Sequence, residues 1–159
     1  MRSKSVGAFL MVMAFGSSLI AQVDRARDEP HRDLKKYYEE TVKYVEQGNR
    51  DAARQSIADL TKTARAILQL SEDVPSRLND GNLRDLASKA QQFVESDKKL
   101  IERLQQLYAK VEKVGESMSS ELSSMKSEYE TFTNKFNELW ADLQRAGAAL
   151  KASCAACVR

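Results

Sequence analysis

The chain has little of what most catalytic sites are made from. Its 159 residues include one histidine, His31, and two cysteines, Cys154 and Cys157. No glycine-rich phosphate loop, no nucleophile elbow and no His-Glu-x-x-His motif occurs. Paired carboxylates are common, but they stand at salt-bridge spacing, as in Glu39–Lys43 and Glu95–Lys99. The sequence therefore predicts no enzyme. Two prolines and six glycines are few, and aromatics make up 7%, which argues against a loop-rich or all-β fold. Alanine, glutamate, lysine, leucine and glutamine supply much of the rest, and these favour long helices.

The longest apolar run in the chain is short for a membrane-spanning helix. Residues 6–15 form a run of about ten, roughly half of what a spanning helix needs. Arg2 and Lys4 precede it, and Gly16, Ser17 and Ser18 follow. That is the layout of a secretory signal, with cleavage expected after Ser18 or Ala21; an uncleaved N-terminal anchor is the alternative. The expected organisation is a signal peptide over 1–21 and a single helical-bundle domain over 22–159, secreted or periplasmic. Loss of Arg2 and Lys4 leaves 23 basic and 23 acidic residues. A neutral chain with interspersed signs has neither the basic surface of a nucleic-acid binder nor a polybasic block for anionic lipid. No stable membrane insertion is expected after signal removal.

Four helices are predicted. The first spans 30–47, with Pro30 in its first turn and Leu34, Tyr37, Tyr38, Val42 and Val45 at helical spacing. Gly48 suits its end, and Asn49 suits the cap of a second helix over 50–71. Val74-Pro75 is expected to break the helix. Asn79-Asp80-Gly81 is turn chemistry, and Asn82 is expected to cap the third helix, with Asp85 three residues on. From Leu83 onward there is no proline. Apolar residues recur at 3-4 spacing through Leu86, Phe93, Leu100, Leu104, Leu107, Val111 and Val114. They recur again through Leu122, Met125, Tyr129, Phe132, Phe136, Leu139, Leu143 and Leu150. The phase slips between Val114 and Leu122, where Gly115, Ser117, Ser119 and Ser120 lie.

A turn at residues 115–120 accounts for the slip, and one unbroken helix of roughly 70 residues is the rival. The predicted class is all-α: an up-down antiparallel helical bundle with a long coiled-coil-like hairpin formed by the last two helices. With the last pair longer than the first, the hairpin tip is expected to project by up to about 20 Å. Its apolar residues Val111, Val114, Met118 and Leu122 then form a candidate interaction tip for a protein partner or a homodimer. Asp97 falls in the seam between Phe93 and Leu100. In a hairpin folded near residue 116 it lies opposite Lys135, which predicts a buried ion pair that fixes register. Its alternative is a turn to the solvated edge of the stripe.

Chemistry-bearing residues gather at the chain's end. Cys154 and Cys157 are three residues apart, on one helix face. In an exported protein they are candidates for a disulfide, within the chain or between chains. An up-down bundle places the start of its first helix and the end of its last at one end, so His31 becomes a third candidate ligand. His31, Cys154 and Cys157 would suit zinc or copper.

The segment Leu143-Gln144-Arg145-Ala146-Gly147-Ala148-Ala149-Leu150-Lys151-Ala152-Ser153-Cys154-Ala155-Ala156-Cys157 resembles the last helix of the cytochrome c-prime group. Those are exported four-helix bundles with a covalent haem near the end of the fourth helix. The resemblance implies haem attachment at Cys154 and Cys157. The histidine of C-x-x-C-H is replaced by Val158, so an axial imidazole would have to come from His31. Two expectations remain. The first is an exported non-enzymatic structural or protein-interaction module with no cofactor, working through its long hairpin. The alternative is a carrier of haem or a transition metal that uses the C-terminal cysteines.

Overall fold

The computed structural model describes residues 30–78 and 81–157, together with Ala21 and Arg25; of Asn82 and residues 150–157 it describes the backbone alone. It is an all-α bundle, with no strand among the described residues. Helix α1 covers 30–46. Gly48 follows at φ +67°, a conformation that costs a residue without a side chain little. Backbone bonds Gly48 N–H to Val45 O (3.1 Å) and Asn49 N–H to Tyr44 O (2.9 Å) close the end of α1. Asn49 then caps α2 (Arg50–Ser71), its Oδ1 accepting from the Ala52 amide at 3.2 Å.

Helix α2 ends at Ser71 as predicted, but Val74-Pro75 does not lead into a plain turn. After Glu72 and Asp73 a one-turn helix, α3 (Val74–Arg77), forms with Pro75 in its first turn, where no amide hydrogen is needed. Arg77 pairs with Asp73 at 2.9 Å and the Ser76 hydroxyl donates to the Asp73 carbonyl at 2.7 Å. The Asn82 cap is likewise corrected. A 3-10 turn over Gly81–Leu83 leads into α4 (Arg84–Glu112), whose capping position is Leu83 with no side-chain cap bond.

The hairpin forms. Between α4 and α5 (Ser119–Cys157) the chain reverses through Gly115 at φ +87°, which settles the choice against one unbroken helix. Neighbours run antiparallel throughout. Lys110–Glu121 (3.7 Å), Arg103–Glu128 (3.9 Å) and Lys89–Asp142 mark the α4–α5 face from turn to termini. Arg54–Glu112 (3.3 Å) and Glu72–Lys98 (3.7 Å) mark α2–α4. Glu46–Lys126 (2.6 Å), the stacked rings of Tyr38 and Tyr129 (3.7 Å) and those of His31 and Phe136 (4.6 Å) mark α1–α5. These pairs give the predicted up-down-up-down order. One core runs between the helices, with Leu34 from α1, Ile57, Leu60 and Ile67 from α2, Phe93, Leu100 and Leu104 from α4, and Met125, Phe132 and Phe136 from α5.

The projecting tip is not there. Arg50, the first residue of α2, reaches over the end of α4. Its Nη1 donates to the carbonyls of Val111 (2.8 Å) and Lys113 (2.6 Å), and its Nη2 to that of Glu116 (3.1 Å). The α1–α2 turn therefore sits level with the α4–α5 turn. The extra length of the last pair lies at the other end, where α5 runs on past Leu143, the last of its buried core residues. The sequence shows that the pairs differ in length, but not at which end they are flush.

Candidate functional site

Of the residues singled out from the sequence, those whose side chains are described mostly lie apart. Of the four tip residues, Val111 (1% exposed) and Leu122 (7%) are core, and Met118 is half-buried against it. Val114, 90% exposed, is the one exposed large apolar side chain among the described residues. A continuous apolar tip surface is therefore absent from this end.

His31 does not join the cysteines. Its ring stacks on Phe136 at 4.6 Å with a 17° interplanar angle. Cys154 and Cys157 stand 18 and 21 residues further along the same continuous helix. At 1.5 Å per residue they lie about 27–32 Å beyond that ring. The shared-end argument holds for helices and fails for these side chains, because α5 overruns the histidine's level by five turns. The side chains of Cys154 and Cys157, with any disulfide or haem link, lie outside the described residues. Among the described residues no group of three or more His, Cys, Asp or Glu side chains is placed to hold a metal ion.

Asp97 departs furthest from expectation. It is 0% exposed, neither pairing with Lys135 nor reaching solvent. Lys135 instead donates to Gln92 Oε1 at 3.0 Å on the surface. Neither oxygen of the Asp97 carboxyl has a hydrogen-bond partner. Burial alone pushes its pKa from the ordinary 3.8 up to about 8, so the side chain is neutral at pH 7. One turn before it on α4, Phe93 packs with Phe132 (5.2 Å) and Phe136 (5.4 Å). The Thr41 hydroxyl on α1 and the Ser96 hydroxyl on α4 are also buried without a partner. Other buried hydroxyls, such as Ser56 and Ser71, bond back to the carbonyls of their own helix.

On the outside of the bundle an open groove of about 610 Å³ lies between α2 and α4. Ala58, Thr61 and Ala66 leave room on the α2 side, and Gln105 and Tyr108 wall it from α4. Lys62 and Arg65 line it and make no ion pair with any described carboxylate. At either end of this face the cations are engaged, Arg54 with Glu112 and Lys98 with Glu72. Sequence reasoning missed this site. Its signal was present as a second helical stripe, 58-61-62-65-66-69, set against the apolar stripe of the same helix.

A smaller groove of about 460 Å³ between α1 and α5 holds Tyr38, Val42, Lys43 and Lys126. There Glu46 holds Lys126 at 2.6 Å, and the Tyr38 phenol is raised by burial.

No protein-family model, curated protein or solved structure matches this chain. The likeness of residues 143–157 to the cytochrome c-prime group thus stands on sequence alone. Among the described residues no helix is long and apolar enough to cross a membrane.

Proposed function

We propose that this chain is an exported, non-enzymatic helical module that binds a protein partner, and that the partner lays an acidic amphipathic helix into the α2–α4 groove. The observation that carries this reading is the pair Lys62 and Arg65, two cations with no carboxylate partner among the described residues, beside small residues and a tyrosine. Small side chains let a second helix approach, and tyrosine and arginine are the residue types that most often dominate protein interfaces. Acidic residues flanking an apolar stripe would complete both cations. α4 is one strand of the hairpin from which the sequence predicts binding; the surface in question is its side, not its tip. Export is supported by Arg2, Lys4 and the apolar run at residues 6–15.

The test uses a fluorescent amphipathic helical peptide with glutamates flanking a Leu/Ala stripe, and a control with lysines in their place. The mature protein should bind the acidic peptide in a salt-sensitive manner. The double variant Lys62→Glu, Arg65→Glu should lose at least tenfold in affinity. Equal binding of both peptides, or no change in the double variant, overturns the reading.

The haem or metal alternative now depends on a ligand other than His31. A Soret band and a mass gain of one haem on protein exported through haem-maturation machinery would establish haem attachment, and colourless protein of unmodified mass would remove it; metal analysis of the purified protein decides the metal reading in the same way.

A further inference from the structure

Asp97 stands where a helical seam ordinarily places leucine. Phe93, Leu100 and Leu104, its neighbours in the seam, are buried as fully as it is. Among the described residues nothing neutralises an ionised carboxyl here. At the end of α2, Glu72 turns outward to Lys98, and on α2 Arg65 lines the outer groove. On α5, Lys135 turns to Gln92 and Glu128 to Arg103. On α1, His31 lies on Phe136 and Tyr38 on Tyr129. On α3, Arg77 is held by Asp73. The partnerless hydroxyls of Thr41 and Ser96 add two more polar groups that the closed core leaves unsatisfied. Such a core tolerates the neutral acid and opposes the anion.

We propose that Asp97 makes the four-helix core a two-state element, closed while its carboxyl is protonated and opened by ionisation, with the α4–α5 hairpin parting from α1–α2. In the closed form burial holds the group at about 8. In the open form water reaches it and it returns towards 3.8. One proton separates the two states, so the open population rises about tenfold for each pH unit between about 4 and 8. Below that window both forms are protonated and above it both are ionised, so the population is level at either end. Opening uncovers the inner apolar face of the hairpin, including Leu100, Leu104, Met125 and Phe132. The device requires no partner and is independent of the α2–α4 groove.

Hydrogen exchange of the α4 amides, corrected for intrinsic rate and followed from pH 5 to pH 9, tests it. Protection around Asp97 should fall about tenfold per pH unit up to about 8 and then level off. Asp97→Asn keeps the shape and removes the titration, so its protection should stay flat; if that variant does not fold, Asp97→Leu should be flat in its place. The urea dependence of this exchange should be shallower than that of complete unfolding. A flat profile in the unmodified protein, or the same slope in the variants, overturns the proposal. A urea dependence equal to that of global unfolding does so as well.

Discussion

Replacing Asp97 by leucine removes a buried carboxyl that has no hydrogen-bond partner and fills its place with a side chain of the kind found at Leu100 and Leu104. The folded-state pKa is raised, from 3.8 to about 8, so the folded form holds a proton that the unfolded chain releases. Stability is therefore full below about pH 4, falls as pH rises through the window, and is lowest above about 8. At pH 7 the loss is about 4 kcal/mol. Asp97→Leu should recover about 2–3 kcal/mol at pH 7, after allowance for repacking strain, and raise Tm by about 5–10 °C. Its gain should shrink at pH 4.5. Thermal melts at the two pH values check both statements; a lower Tm for the variant at pH 7 would contradict them. Lys135→Ala, by contrast, should change stability by less than about 0.5 kcal/mol, because Lys135 bonds only Gln92 at the surface. Seam spacing revealed that residue 97 was anomalous. It could not reveal the missing partner, because residues opposite each other along two helices need not face each other around them.

The elements were legible where their ends are set by neighbouring residues. Asn49 caps α2 through an amide three residues away, and Gly48 and Gly115 both take positive φ where the chain reverses. Arg50 was not legible, because its acceptors lie 60 to 66 residues away in sequence. Its guanidinium meets the Val111 and Lys113 carbonyls, which the end of α4 leaves without helical partners, and the Glu116 carbonyl in the turn beyond. Arg50→Ala should cost about 1–2 kcal/mol by denaturant unfolding, and Arg50→Lys should restore only part of it, since an ammonium cannot span three carbonyls in one plane. Gly115→Ala forces a side chain into φ +87°, and should cost about 1 kcal/mol without touching the core. Apart from the adjoining residues, no described atom lies within 4 Å of the added methyl, so backbone strain alone is being measured.

For the molecule as a whole, the class and order of helices followed from periodicity, but the axial offset of the two hairpins did not. A stripe of leucines allows one helix pair to slide along another by a turn at little change in apolar contact. The offset is fixed by groups outside the stripe: Arg50 on the α4 terminus, Glu46 on Lys126, and Glu72 on Lys98. This placement can be measured in solution. Spin labels at Gln47 and Lys113, in a chain whose two cysteines are replaced by serine, should give a distance distribution below about 25 Å, because Arg50 bonds the Lys113 carbonyl directly at 2.6 Å. Had the tip projected as the helix lengths suggest, the labels would stand about 20 Å further apart along the bundle axis. Adding Arg50→Ala to the labelled chain should broaden the distribution while keeping its mean, since Glu46–Lys126 and Glu72–Lys98 still set the offset. A shift of the mean by a helical turn, about 5 Å, would instead make Arg50 the group that holds the two hairpins in register.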